Sequence, residues 1–357
     1  MSIYDSKLWI SDLDKTLTAL PELKEICGKS ILITGCSGLI CSALVDVLIS
    51  WNTTQKRKIM ILAAGRNEER IKARFLPYYN EKWFKYIPYD ASSLDNSFDF
   101  SCDYVIHGAS NASPNKIMKE PVETMMSNFM GMKCLLDYAR NKNVKRVLYI
   151  STSEIYGKKD NDKPNKINEY GGIDILNPRN SYSIGKCAAE TLCASYFDEY
   201  NVDFVIVRPG HVYGPTASKT DSRVSSAWAY TVAKGESIVM KSDGAQYRSY
   251  VYCLDCASAI LKVLIKGETK QAYNISNPHS IINIRQMAEI LAKTNDVEVR
   301  MDLPTYDEKR GYNPMRNSSL DATNLLALGW QGQFRAKDGF LHTVRIIKDM
   351  EKSSKII

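Results

Sequence analysis

The chain has 357 residues, 44% of them hydrophobic and 24% charged, enough for one large or two ordinary packed domains, which excludes a disordered or fibrous protein. No apolar run reaches membrane-span length and residues 1–7 lack a basic-then-apolar signal pattern, so the cytoplasm is the expected compartment and no membrane partner is expected. The net charge of +7 is spread along the chain rather than gathered in one block, which suits an anionic small substrate and argues against nucleic acid.

Residues 1–29 place Ile10, Leu13, Leu17 and Leu20 at near-helical spacing with Pro21 as an interruption, which predicts a helical extension without chemistry of its own. From Ser30 the run Ile31-Leu32-Ile33-Thr34 reads as a buried strand, and Gly35-Cys36-Ser37-Gly38-Leu39-Ile40-Cys41 turns it into an apolar helix. A strand that turns through glycines into a helix presents backbone N–H groups and the positive helix end to a pyrophosphate. Gly35, Ser37, Gly38, Leu39 and Ile40 are therefore candidate cofactor contacts, Gly35 for the tight turn and Gly38 for close approach. Cys41 stands where a third glycine is usual, which predicts a slightly wider spacing of helix and strand.

The second strand, 58–64, leads into Gly65-Arg66-Asn67. A fold that takes NAD commonly offers a carboxylate to the ribose 2′-hydroxyl here, and none is present. Arg66 suits the 2′-phosphate of NADP or a place flat over the adenine, whereas Glu68 and Glu69 are less well placed substitutes. Asp90, at a third strand end, is a candidate for the adenine amino group. A fourth strand over 103–107 runs into Gly108, Ala109 and Ser110, small residues suited to backbone passing close to a cofactor. The polar loop that follows, Asn111-Ala112-Ser113-Pro114, can face a substrate through Ser113, and His107 reads as a packed residue rather than a catalyst. A helix over 125–140 and a fifth strand over 144–150 complete an alternation that predicts a parallel sheet covered on both faces, with ligands at the strand C-ends.

Directly after the fifth strand comes Ser151-Thr152-Ser153-Glu154-Ile155-Tyr156-Gly157, and Tyr182-Ser183-Ile184-Gly185-Lys186 opens the next helix, 182–200. A tyrosine and a lysine four apart share one helix face. An ammonium beside a phenol favours the phenolate and lowers a pKa that is ordinarily about 10. A phenol so tuned takes a proton from a sugar hydroxyl while the carbon beneath gives up hydride, and Thr152 would hold the same hydroxyl.

Beyond a strand over 204–208, Pro209-Gly210-His211-Val212-Tyr213-Gly214-Pro215 is an irregular exit from the sheet and the expected crossing into a smaller second domain. Arg223, Arg248 and Arg316 fall on or beside loops in this half, and guanidinium forks match the oxygens of a sugar-nucleotide diphosphate. Helices are expected over 254–265, returning to the sheet, over 284–292, and within 321–330 before Gly329, and residues 352–357 are expected to fray. The resulting division is 1–29 extension, 30–207 with 251–268 dinucleotide-binding, and 208–250 with 269–357 substrate-binding. Nine scattered cysteines read as reduced core residues, and the lone Cys253-x-x-Cys256 lacks the second pair that a metal site needs.

Together these motifs resemble the extended short-chain dehydrogenases/reductases of the nucleotide-sugar epimerase/dehydratase/decarboxylase group. The resemblance runs from about Ser30 to Trp330 through Thr34-Gly35-x-x-Gly38, the 151–157 run, Tyr182-x-x-x-Lys186, Arg208-Pro209 with Tyr213-Gly214-Pro215, and Leu328-Gly329-Trp330. It implies an α/β Rossmann fold, a doubly wound parallel sheet with a smaller C-terminal α/β substrate-binding domain. It also implies NAD reduced and reoxidised in each cycle, Thr152, Tyr182 and Lys186 at the catalytic positions, the last two also touching the cofactor, and a homodimer through the helices 125–140 and 182–200. Within the group the pattern is most similar to the UDP-glucuronate decarboxylases, on the stretch 109–114, the turn 151–154 and Asp221-Ser222-Arg223-Val224, which is similar to a substrate-contact loop. This implies oxidation at C4, loss of the C5 carboxylate as carbon dioxide, and return of hydride. Glu154 would then handle protons or position the sugar, Ser153 and His211 would line the sugar site, and Arg248 would hold phosphate or carboxylate. His211 stands where the family usually has asparagine. A 4,6-dehydratase needs an acid for the departing C6 hydroxyl and a 4-epimerase needs no glutamate at 154. A non-catalytic nucleotide-sensing relative would be expected to lose the tyrosine or the lysine, both of which remain here.

Overall fold

The computed structural model describes residues 2–353 apart from 94, 160 and 303–315, so the last residues expected to fray, 354–357, lie outside the described residues. Seven apolar runs pair in parallel: β1 (Ser30–Thr34), β2 (Met60–Gly65), β3 (Phe84–Pro88), β4 (Tyr104–His107), β5 (Arg146–Ile150), β6 (Phe204–Pro209) and β10 (Gln271–Ile275). They lie in the order β10-β6-β5-β4-β1-β2-β3. The order reverses between β1 and β4, and the crevice beyond their C-ends is where such a sheet binds ligands. Beyond 251–268, the expected return to the sheet, β10 at 271–275 is itself the edge strand beside β6.

The strands read as unbroken hydrophobic runs because both faces are covered. Ile31, Ile33, Ile106, Leu148, Ile150, Val205 and Val207 face one core, formed with helices α2 (Leu39–Thr54) and α8 (Cys253–Lys266). Leu32, Val105, Val147, Tyr149, Phe204 and Ile206 face the other, formed with α5 (Pro121–Lys142) and α6 (Ser181–Tyr200), which lie side by side. The N-terminal helix α1 (Lys7–Thr18) packs on α2 and α8, and buried Asp12 ties it to His342 and Tyr252. Cys253 and Cys256 are buried free thiols of α8, and among the described residues no group of His, Cys, Asp or Glu is arranged to hold a metal. Among the described residues no helix is long and apolar enough to cross a membrane.

After β6 the chain leaves the sheet through β7 (His211–Tyr213), which pairs in parallel with β9 (Tyr247–Tyr252). Strand β9 also pairs with β11 (Ile281–Asn283) and β13 (Asn317–Ser318). Helices α7 (Val224–Ala233) and α9 (Ile284–Lys293) and the C-terminal helix Ala336–Ser353 pack with one another in this half.

Candidate active site

The turn after β1 is built on a glycine that nothing else replaces. Gly35 has φ of 71°, in the left-handed region, and a Cβ there would lie 2.9 Å from the backbone of Ala109. Gly38 closes the turn by donating to the Gly35 carbonyl at 2.9 Å and caps α2 without a side chain, so the unpaired N–H groups of the first helical turn face outward. Thr34 Oγ1 accepts from the N–H groups of Gly108 and Ala109, each at 3.2 Å, and so ties the β1 and β4 ends together at the crevice. The Cys41 sulfur takes its room from Gly108, where a Cβ would stand 2.3 Å from it. Ser110 donates to Asn128 at 2.9 Å. His107 bonds Thr34 at 2.7 Å, lies over the Tyr149 ring, and is pushed down to about 3 by burial and Lys186, which leaves it neutral and packed.

At the far end of the crevice, Asp90 accepts from the backbone and hydroxyl of Ser92, at 3.0 and 2.7 Å. Burial would raise its pKa, but these bonds and the charge of Arg66 hold it below the usual value. Arg66 itself is exposed. Glu68, the nearest acid in sequence, is spent on the Tyr79 hydroxyl at 2.5 Å, and the Asn67 side chain caps the short helix Glu68–Arg74.

Thr152, Glu154, Tyr182 and Lys186 meet where β5 gives way to a short 3-10 turn, Ser153–Tyr156, opposite the start of α6. Ser153 is buried in that turn. Thr152 acts on the Tyr182 phenol in the sense that favours the phenolate, and Lys186 lies 5.9 Å from the Tyr182 ring centre and 4.6 Å from that of Tyr149. Here the expected electrostatics are corrected. Instead of falling, the Tyr182 pKa is pushed up to about 12, by burial first and the charge of Glu154 second, against Thr152, Arg223 and Arg179. Lys186, 2% exposed, donates to the Ile150 carbonyl at 2.7 Å and is pushed down to about 7 by burial. Glu154 does not stand alone. Arg179 grips both its oxygens, at 3.2 and 3.4 Å.

The facing wall comes from the C-terminal half. Arg248 on β9 is buried, its pKa pushed down by burial while Tyr250 and Glu154 act in the opposite sense. His211, opposite Tyr250 in register, has a buried Nδ1 without a hydrogen-bond partner, and burial with the charges of Arg248 and Arg223 pushes it down to about 3, so it is neutral. Arg223 is paired with Asp221, and Ser113 touches Ser222 at 3.2 Å, which brings the loop after β4 against the loop before α7. Arg316 departs from expectation: its side chain is 82% exposed and reaches Asp162 at 4.0 Å, because its backbone starts an edge pairing with β9 that turns the side chain to solvent.

Residues 31–276 match the model of the NAD dependent epimerase/dehydratase family. The chain belongs to this family. It is 28% identical to UDP-glucuronic acid decarboxylase 6 of Arabidopsis thaliana over 87% of its own length and 86% of that protein. It is 30% identical to a dTDP-D-glucose 4,6-dehydratase of Dictyostelium discoideum over 74% of its own length and 62% of that protein. The same fold is seen in the UDP-glucuronic acid 4-epimerase of Bacillus cereus, solved with UDP-glucuronic acid and NAD, with a TM-score of 0.75 at 20% identity over 90% of this chain and 99% of that one.

An epimerase/dehydratase family member is an NAD-dependent enzyme, and the turn at Gly35 fits a dinucleotide: the cradle is one that a Cβ would fill, and it opens onto the uncapped start of α2. Sequence reasoning missed Arg179, although its place three residues before Tyr182 puts it on the tyrosine's side of the chain. It also missed the buried network in which Arg208 forks onto Glu190 and donates to Tyr156 and Ile167, locking the turn after Thr152 to α6 and β6. Only the Arg208-Pro209 motif signalled that network.

Proposed function

We propose that the protein is a UDP-glucuronate decarboxylase acting through transient oxidation at C4 of the sugar. The observation that carries this reading is the grip of Arg179 on both oxygens of Glu154. A 4,6-dehydratase needs an acid for its leaving C6 hydroxyl, and the residue beside Glu154, Ser153, is not one. The two bonds from Arg179 hold the Glu154 carboxylate in one place, as suits a group that positions the sugar. The similarity to a plant decarboxylase over most of both chains supports the same choice.

NAD, when bound, supplies the hydride acceptor and donor for C4. Gly35, Ser37, Gly38, Leu39 and Ile40 would hold its phosphates, Asp90 and Arg66 its adenosine end, and Ala109, Ser110, Tyr182 and Lys186 the remainder. Once it has given up its own proton, the Tyr182 phenolate, which Thr152 favours, would take the C4 hydroxyl proton. A ketone at C4 makes the C5 carboxylate a β-keto acid, which loses carbon dioxide once oriented. Glu154, Ser113 and Ser153 would face the sugar, and His211, Arg223 and Arg248 the nucleotide diphosphate or the carboxylate. Neutral His211 can donate or accept without adding charge. A homodimer through α5 and α6 belongs to the same reading, and a purified chain that scatters light as a monomer at every concentration removes it.

The purified enzyme should release carbon dioxide from UDP-glucuronate and leave UDP-glucose, dTDP-glucose and GDP-mannose unchanged. Loss of water from a hexose would make it a dehydratase, and an inverted centre at unchanged mass an epimerase. Tyr182→Phe should keep cofactor and nucleotide binding while turnover falls by about 10²–10⁴-fold, and near-normal turnover takes Tyr182 out of the mechanism.

A further inference from the structure

Glu154 and Arg179 belong to the two short elements that carry the reacting groups. Glu154 is two residues beyond Thr152, which itself caps the turn Ser153–Tyr156 and accepts from the Glu154 N–H at 3.2 Å. Arg179 is three residues before Tyr182, in the 3-10 turn Pro178–Asn180 that runs directly into α6. That second turn is pinned at every step. The Asn177 side chain accepts from the Arg179 N–H at 3.0 Å, the Asp174 side chain from the Leu176 N–H at 3.2 Å, and the Asn180 amide donates to the Asp174 carbonyl at 2.9 Å. Pro178 fixes the first φ.

The guanidinium is therefore delivered on a stiff backbone to a carboxylate on the opposite element. Their side chains are 17% and 26% exposed, so the pair is partly shielded from water and contributes some stability. It also fixes geometry, because it bridges the exit of β5 and the entrance of α6. Glu154 is faced by Arg179 from its turn, by Tyr182 from α6 and by Arg248 from β9, and Arg223 at the start of α7 also acts on Tyr182. We propose that Arg179 is a positioning residue that clamps the turn carrying Thr152 and Glu154 to the start of α6, keeping both beside Tyr182 and aiming the Glu154 carboxylate at the sugar. This rests on the site oxidising a nucleotide sugar, but not on which sugar it takes.

The test uses Arg179→Gln and Arg179→Lys in the full chain. Both should keep NAD affinity, and Arg179→Lys, which keeps a cation beside Glu154, should keep the wild-type melting temperature. The rate of transient cofactor reduction by the turned-over nucleotide sugar should fall about a hundredfold in each, the cost of misplacing reacting groups by an ångström, with KM little changed. In the glutamine variant the limb on which rate rises with pH should move to higher pH, because the Glu154 charge beside Tyr182 loses its partner. Lysine, which keeps the charge but not the fork, should restore that limb and not the rate. An unchanged rate and limb overturn the proposal, and so does a loss confined to KM, which makes Arg179 a direct substrate contact. A crystal structure of Arg179→Gln should show the Ser153–Tyr156 turn shifted from the start of α6, and an unmoved Glu154 and Thr152 overturn the clamp. If no nucleotide sugar reduces the cofactor, the proposed function fails, while the crystal structure still decides the role of Arg179.

Discussion

Gly108 is a position where one added methyl group should press directly on the cofactor turn. Its Cβ would stand 2.3 Å from Cys41 Sγ, 3.1 Å from Ile150 Cδ1 and 3.4 Å from the Thr34 carbonyl. Nonbonded heavy atoms rest at about 3.5–4 Å, so the sulfur overlaps by more than about 1 Å. The isoleucine tip can move aside. Cys41 cannot easily do so, because it is 2% exposed and a helix disfavours one of its three χ1 rotamers. Gly108→Ala should therefore cost about 1–3 kcal/mol, the usual penalty for an overfilled core. Relief by backbone movement would displace Ala109, which Thr34 holds and against which Gly35 lies, so NAD affinity should fall with stability. Cys41→Ala removes the obstacle and leaves a small cavity. In that background Gly108→Ala should cost about 1–2 kcal/mol less than in the wild type. Urea unfolding of the four proteins, with NAD titration of each, measures the coupling. Effects that add within about 0.5 kcal/mol would show that the two side chains do not meet, and the account of how this turn accommodates a cysteine would be wrong.

Arg208→Met strands the Glu190 carboxylate, which is only 11% exposed, and should destabilise the protein by about 3–5 kcal/mol in urea unfolding; a loss below about 1 kcal/mol refutes the network's importance. Arg66→Ala should weaken NADP binding by about tenfold to a hundredfold and NAD binding by much less, since only the 2′-phosphate offers it a charged partner. Equal effects on both dinucleotides, read by titration, would take Arg66 away from the ribose.

The fold was legible because each parallel strand must be apolar on both faces, and runs such as Ile31-Leu32-Ile33 and Val147-Leu148-Tyr149-Ile150 declare that directly. The dinucleotide turn was legible because Gly35 has a conformation few other residues adopt. Arg179 was not, because an arginine in a polar loop has no periodicity, and its partner lies 25 positions away across a β–α connection. Arg316 misled for the same reason in reverse: a loop arginine matches phosphate chemistry wherever it is, and only the edge pairing of the adjacent backbone decides which way it points. The edge strand β10 was hidden because Gln271 and Asn274 interrupt its apolar pattern, although Asn274 is buried and bonded to Tyr156.

The sign of the electrostatics at Tyr182 was the least legible feature, and magnitudes explain it. An ammonium 5.9 Å from the ring, at an effective dielectric of about 20, is worth about 3 kcal/mol, or roughly two pK units. Full burial shifts such groups by up to about 3–5 units, so burial wins at both residues. The effects reinforce each other, since each group's preference for its neutral form removes charge that would stabilise the other. Lys186, pushed down to about 7 by burial, then favours its neutral form more than an exposed lysine does. Its folded pKa lies below the value of about 10.4 expected in the unfolded chain, so between those two limits the unfolded state binds the additional proton. This group therefore makes stability rise with pH across that window, by up to about 1.4 kcal/mol per pH unit, and the contribution is lost as pH falls toward 7. Lys186→Met should flatten the pH dependence of urea unfolding between pH values of about 7 and 10 by one proton's slope. An unchanged slope would mean that Lys186 keeps its proton in the folded protein. The ammonium would then stand fully charged beside the phenol, and the expectation drawn from the tyrosine–lysine spacing alone would be the correct one.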